Sequence, residues 1–256
     1  MTIQKAYCFC TLSLGERYRL MTKELAKDLE KYAPGTYLVV GTDQPKDFEN
    51  CTNVLPFKHN KTGILHCYND KLFVIENALS KFQSAIHIDS DTKILSDLPD
   101  ILNISCPMIA YSENLINHVT KYRSEDLELL KKLALKLDIP IEKADWIGES
   151  LYIISRDNGQ EQEFIKTWKI LASYAELKGM HSGEGNLMGL AAAKVGWKVN
   201  KNETWEFIKN NTQHLDASYN PQKLTFLDKL KRKFDYHYRL NKARIIALKD
   251  FDFYYR

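Results

Sequence analysis

The chain has 256 residues, 44% hydrophobic and 27% charged, an ordinary composition for a globular protein able to bury one large core or two small ones. A formal net charge of +3 is too small to imply nucleic acid, and no apolar run is long enough to span a bilayer. Five cysteines without metal-binding spacing, and no apolar leader, read as reduced thiols in a cytoplasmic chain.

Tyr7-Cys8-Phe9-Cys10-Thr11-Leu12 predicts a buried first strand. Tyr18, Met21, Leu25 and Leu29 then recur at helical spacing until Pro34-Gly35 stops the helix. Thr36 to Val40 predicts a second strand, closed by the turn Gly41-Thr42-Asp43-Gln44-Pro45, and Asn53 to Phe57 a short third. Asn69 or Asp70 is placed to cap a helix whose inner face is Leu72, Ile75, Leu79 and Phe82. The strand Ala85-Ile86-His87-Ile88 follows and runs into Asp89-Ser90-Asp91. Further strands are expected at Pro107 to Tyr111 and Leu151 to Ile154. Ser124 is placed to cap a helix carrying Leu130, Leu133 and Leu137, and a later helix carries Phe164, Trp168, Leu171 and Ala175. His181 to Asn186 opens a helix of small residues that ends near Gly196-Trp197. This alternation predicts an α/β fold: a mixed, mostly parallel central sheet with helices on both faces. Ligands of such sheets bind beyond the carboxyl ends of the strands.

From Gln222 onward the composition shifts. That stretch has ten Lys/Arg against four Asp/Glu, interleaved with Phe226, Phe234, Tyr236, Tyr238, Phe251, Phe253, Tyr254 and Tyr255. The expected organisation is one domain over 1–220 and a helical, basic, aromatic extension over 221–256, with the boundary near Pro221. The extension suits either packing on the domain or peripheral contact with an anionic membrane surface.

Asp89 and Asp91 carry the chemistry. Two carboxylates at i and i+2 on an extended segment point to one side, where they can share a hard divalent cation, Mn²⁺ or Mg²⁺. The plain alternative is that Asp91 caps the turn into Thr92-Lys93 and Asp89 is merely exposed. Glu184 stands between Gly183 and Gly185, where a loop becomes a helix. It can serve as nucleophile or general base, or simply as an acidic first-turn residue.

In this arrangement the chain resembles the GT-A glycosyltransferases. Asp89-Ser90-Asp91 matches their metal motif. Thr42-Asp43-Gln44-Pro45 after Tyr37-Leu38-Val39-Val40 resembles the second-strand exit of the family 6 retaining enzymes. His181 to Glu184, followed by Lys198-Val199, resembles their later segment, which runs from a His-Asp-Glu stretch through a helix to a Lys-Val strand; Gly183 replaces the aspartate. The same topology fits the family 8 retaining enzymes. The resemblance implies a transferase moving sugar from a nucleotide-sugar donor, commonly a UDP-sugar, to a glycan or lipid-linked acceptor, with Glu184 at the nucleophile's position. It implies a base and ribose pocket of Thr11, Leu12 and Tyr18, and a Lys71 that reaches the nucleotide or sugar. It also implies donor contacts from Asp89 and Ser90, a flank of Trp146 and Glu149 on the sugar or acceptor, and His181 orienting substrate. A C-terminal histidine, His214 or His237, would complete the cation's ligands. Tyr18 and Trp146 read equally as core, and Lys71 as a solvated helical charge. Two other readings stay open: a sugar-nucleotide nucleotidyltransferase, and a non-catalytic binding or scaffold protein. The single Gly in Thr11 to Arg17 argues against the first, since that class carries a Gly-rich, basic phosphate loop.

Overall fold

A computed structural model of the chain describes residues 5–99, 102–217 and 225–256. Cys8 and Cys10 face one side of the first strand, Tyr7 and Phe9 the other, and all four are buried. A strand covered on both faces belongs inside a helix-flanked sheet, and this one does. Six strands make the main sheet: β1 (Tyr7–Ser13), β2 (Leu38–Thr42), β3 (Val54–Lys58), β4 (Ser84–Ile88), β6 (Met108–Asn114) and β7 (Asp145–Ser155). Their spatial order is β3-β2-β1-β4-β7-β6. β3, β2, β1 and β4 are parallel, and β7 runs against both β4 and β6. Two short strands, β5 (Thr92–Ile94) and β8 (Thr212–His214), pair antiparallel in a second sheet.

The helices are α1 (Glu16–Tyr32), α2 (Lys71–Leu79), α3 (Leu115–Tyr122), α4 (Leu127–Lys136), α5 (Gln160–Leu177), α6 (Glu184–Lys194), α7 (Glu203–Asn210), α8 (Phe226–Ala247) and α9 (Phe251–Tyr255). The side chains of α2, α4, α5 and α6 form one core with Cys8, Cys10 and Val39. Those of α1 and α7 form the other with Phe9, Leu38 and Ile86. Leu25 and Leu29 of α1 are fully buried there, each stabilising the fold by roughly 1.5–3 kcal/mol.

Several expectations need correction. Asp70 does not cap α2: its carboxylate accepts from Thr62 N at 2.8 Å and tethers the preceding loop. Ser124 begins a 3-10 turn without side-chain capping, and α4 starts three residues later. Lys198-Val199 forms no strand; only Asn200 bridges to Ile109. The strand expected at Leu151 to Ile154 begins six residues earlier, at Asp145. α3, α7 and β8 carried no clear sequence signal. The boundary expected at Pro221 lies outside the described residues. Beyond it, α8 and α9 dock in part: Phe253 and Tyr254 pack on Tyr174 of α5, and Arg239 Nε donates to Ile64 O at 3.2 Å.

Candidate active site

At the carboxyl end of β1 and β4 lies a hollow of about 450 Å³. Its walls come from distant parts of the chain: Leu12 at the end of β1 and Leu14 just after it, Tyr18 on α1, Cys67 and Tyr68 before α2, Lys71, Asp89 to Asp91, Trp146, Glu149 and Ser150 on β7, Glu184 on α6, and His214 and Asp216. A larger hollow, about 650 Å³, opens at the other end of the sheet around Glu76, Arg156 and Lys169 and holds none of these groups.

Register explains the convergence. β7 runs antiparallel to β4, so its first half lies beside the exit of β4, where Asp89 N donates to Ser150 O at 3.1 Å. This sets Glu149 next to Asp89. β8 pairs with β5 so that His214 faces Thr92, and Leu215 N donates to Asp91 O at 2.9 Å. α6 reaches β7 through Gly185 and Gly189. A Cβ on Gly185 would lie 2.2 Å from Ile147 O, and one on Gly189 1.6 Å from Asp145 O. Gly183, at φ +84°, turns the chain into α6 and leaves Glu184 only 2% exposed.

Asp89-Ser90-Asp91 is a turn rather than an extended segment, with Thr92 N donating to Asp89 O at 3.1 Å. The carboxylates converge all the same, because His214 and the backbone after it gather them. His214 Nε2 lies 3.2 Å from Asp91 Oδ1 and 3.7 Å from Asp89 Oδ2, and Ala217 N donates to Asp91 Oδ2 at 2.7 Å. Burial raises both aspartate pKa values, but the neighbours win. Lys71 and His87 hold the Asp89 carboxyl well below the usual range, and His214 with Ala217 N–H lowers that of Asp91. The hydrogen bond to Asp91 raises the His214 pKa against its burial.

Lys71 is buried, not solvated. Its Nζ lies 3.0 Å from Asp89 Oδ1 and 3.1 Å from Glu184 Oε1, and donates to Glu149 O at 3.0 Å. Burial would neutralise it, yet Asp89 and Glu184 together push its pKa above the ordinary value. Glu149 has the opposite fate. Burial and the adjacent Glu184 carboxylate push it up to about 8, although Gly185 N donates to its Oε1 at 2.9 Å. Glu149 therefore keeps its proton at neutral pH. Burial lowers the His87 pKa, so its Nε2–H donates to Asp89 Oδ1 at 3.2 Å while the ring stacks on Tyr152.

Of the residues singled out in the sequence, Leu12, Tyr18, Lys71, Asp89, Ser90, Asp91, Trp146, Glu149, Glu184 and His214 meet in the hollow. Thr11 does not line it; its side chain is buried on the α1 side of β1, since neighbours on a strand face opposite ways. His181 lies outside the lining, its ring 6.3 Å from Tyr236 of α8. His237 sits on α8 beside Tyr236, apart from the aspartates. Tyr68, Cys67, Leu14, Ser150 and Asp216 were missed, and only Tyr68, an aromatic just ahead of Lys71, carried a local signal.

Among the described residues, Asp89, Asp91 and His214 offer ligand atoms all within 4.8 Å of one another. Two ionised carboxylates and an imidazole could together hold a divalent cation.

No family model matches the chain, and no curated protein sequence does. Solved structures do. The galactosyltransferase LgtC, solved with donor and acceptor sugar analogues, superposes with a TM-score of 0.52 at 11% identity, over 75% of this chain and 72% of that one. WbbM, a bifunctional glycosyltransferase solved in its apo form, gives 0.48 at 12% identity, over 79% of this chain and 39% of that one. The likeness to LgtC establishes the architecture: this chain has the GT-A fold that Asp89-Ser90-Asp91 and its surrounding strands and helices led us to expect.

Proposed function

We propose that this protein is a metal-dependent glycosyltransferase that moves a sugar, with retention, from a UDP-sugar to a glycan or lipid-linked acceptor. One observation carries the reading: a cation-ready Asp89, Asp91 and His214 cluster shares a single hollow with the Lys71, Glu184 and Glu149 group. Asp89, Asp91 and His214 would hold Mn²⁺ or Mg²⁺, which supplies charge neutralisation for a departing diphosphate. Leu12, Leu14 and Tyr18 offer the apolar and phenolic surface for a nucleoside. Lys71 keeps Asp89 and Glu184 paired and presents a buried positive charge between the phosphate end and the sugar end. Glu184 faces the hollow as the group that attacks, or stabilises, the electron-poor anomeric carbon. Glu149, which keeps its proton beside Glu184, can donate it as negative charge develops. The basic, aromatic outer face of α8 suits an anionic membrane on which a lipid-linked acceptor is carried.

The test is turnover of a UDP-sugar panel by the full chain. Hydrolysis or transfer should stop with EDTA and return with Mn²⁺. Asp91→Ala should lower kcat by a factor on the order of a hundred or more. Full activity in EDTA, or in Asp91→Ala, would overturn the metal role. Pyrophosphate release would move the protein to nucleotidyl transfer.

A further inference from the structure

The loop 59–70, between β3 and α2, supplies Cys67 and Tyr68 to the hollow, and its other half meets α8. The loop is held from two sides at one residue. Glu176 of α5 accepts from Ile64 N at 2.7 Å, and Arg239 of α8 donates from Nε to Ile64 O at 3.2 Å. Lys61 Nζ donates to the next carbonyl, Leu65 O, at 2.5 Å. A guanidinium and an ammonium from distant parts of the chain therefore end on adjacent carbonyls, and both side chains are half-buried.

Arg232 joins them. Arg232, Tyr236 and Arg239 recur at helical spacing, so they share the face of α8 that Tyr236 turns to His181 and Arg239 to Ile64. Among the described residues none of the three cations forms an ion pair. The carboxylates nearby are spent or turned away. Asp70 accepts from Thr62 N at 2.8 Å and from Thr62 Oγ1, Asp228 is bound to Thr225, and Asp235 pairs with neither arginine. Burial lowers the Lys61 pKa, and the charges of Arg239 and Arg232 add to that effect against Cys67 and Asp70. Packing thus holds like charges together, with both Nη groups of Arg239 and the whole Arg232 fork left without a partner among the described residues.

We propose that Lys61, Arg232 and Arg239 form a phosphate site, in which a phosphoester is clamped between α8 and the loop 59–70. Two planar forks and one ammonium converge from different directions, which suits the several oxygens of a phosphate. A neutral ligand would leave the repulsion among the three cations unrelieved. The site is separate from the exposed Lys231 and Lys233, because it needs a residue of the loop and the inward face of the helix. Lipid headgroups and soluble phosphoesters share this chemistry, and the test separates them. The proposal stands independently of the transferase reading.

Phosphorus NMR titration of the full chain with glycerol 3-phosphate is the first arm, run in EDTA so that no metal ties the probe to Asp89 and Asp91. Binding should saturate and should weaken about tenfold in Lys61→Gln, the loss of one charge-assisted contact. It should be unchanged in Lys231→Gln, which removes the same charge from the outer face. Lys61→Arg keeps the charge and should bind like the natural chain, which separates charge from misfolding. Sedimentation with vesicles of phosphatidylcholine and phosphatidic acid is the second arm, where Lys61→Gln should lower binding more than Lys231→Gln does. An effect of Lys61→Gln on glycerol 3-phosphate shows a site open to soluble phosphoesters; an effect in the vesicle arm alone assigns the lipid headgroup. No effect of Lys61→Gln in either arm, or equal effects of the two glutamine variants in both, overturns the inference.

Discussion

Glu149 and Lys71 show burial acting on two charges with opposite results. Lys71 is buried between Asp89 and Glu184, and two negative partners outweigh desolvation. Glu149 sits beside Glu184 with one backbone donor, and desolvation with like charge pushes its pKa from 4.5 to about 8. The sign follows from linkage. Between those values the folded protein keeps a proton that the unfolded chain has released, so this group makes stability fall as pH rises through the window. Glu149→Gln, which cannot titrate, should flatten the fall. Urea denaturation of both proteins across that range measures it, and an unchanged slope would show that Glu149 is not the group responsible. In the sequence, two positions before Leu151, nothing about this glutamate signals a raised pKa, and the resemblance offers it only as a flank of the sugar or acceptor. Its raised pKa depends on Glu184, which comes from a helix 35 residues further on.

At the scale of elements, α6 is placed by what its glycines lack. Gly185 and Gly189 stand four apart, on one helical face, and that face lies directly on the β7 backbone. A helix-interior glycine normally destabilises by roughly 0.5–1 kcal/mol relative to alanine. Here the sign should reverse. Gly189→Ala must displace the Asp145 carbonyl or lift the helix, and should destabilise by roughly 1–3 kcal/mol. Gly185→Ala should do likewise and, because Glu184 moves with the helix, lower transfer more than stability. Thermal unfolding alongside donor turnover checks both; a gain in stability would mean the contact is looser than the packing indicates. The small residues of this helix were visible in the sequence, but their partner strand was not.

At the scale of the whole molecule, the first half of α8 leaves apolar and basic residues exposed side by side. Phe226 is 77% exposed and Phe234 69%, with Lys229, Lys231, Arg232 and Lys233 exposed among them. Among the described residues, no helix is long and apolar enough to cross a membrane. Surface attachment would draw about 1 kcal/mol from each basic residue near anionic lipid. Sedimentation with phosphatidylserine-containing vesicles should therefore carry the chain down, and pure phosphatidylcholine should not. Changing Lys229, Lys231, Arg232 and Lys233 together to Glu should release it. Equal binding to neutral vesicles would remove electrostatics from the explanation. Donor hydrolysis in solution should survive those changes, since none of the four lines the hollow.

The chain by itself determined the α/β alternation, the buried first strand, the position of Asp89-Ser90-Asp91 and the Gly-flanked Glu184. Those features are written in short-range periodicity and turn chemistry, which act within a few residues. It left open whether Lys71 was solvated, whether Trp146 was core, and which histidine stands by the aspartates. Each of those answers needs register. Antiparallel β7 carries Glu149 and Trp146 to the exit of β4, β8 aligns His214 with Thr92, and two glycines bring α6 close enough for Glu184 to meet Lys71. Pairing between segments separated by tens of residues to more than a hundred leaves no local trace, so the site existed as a list of residues until the sheet joined them.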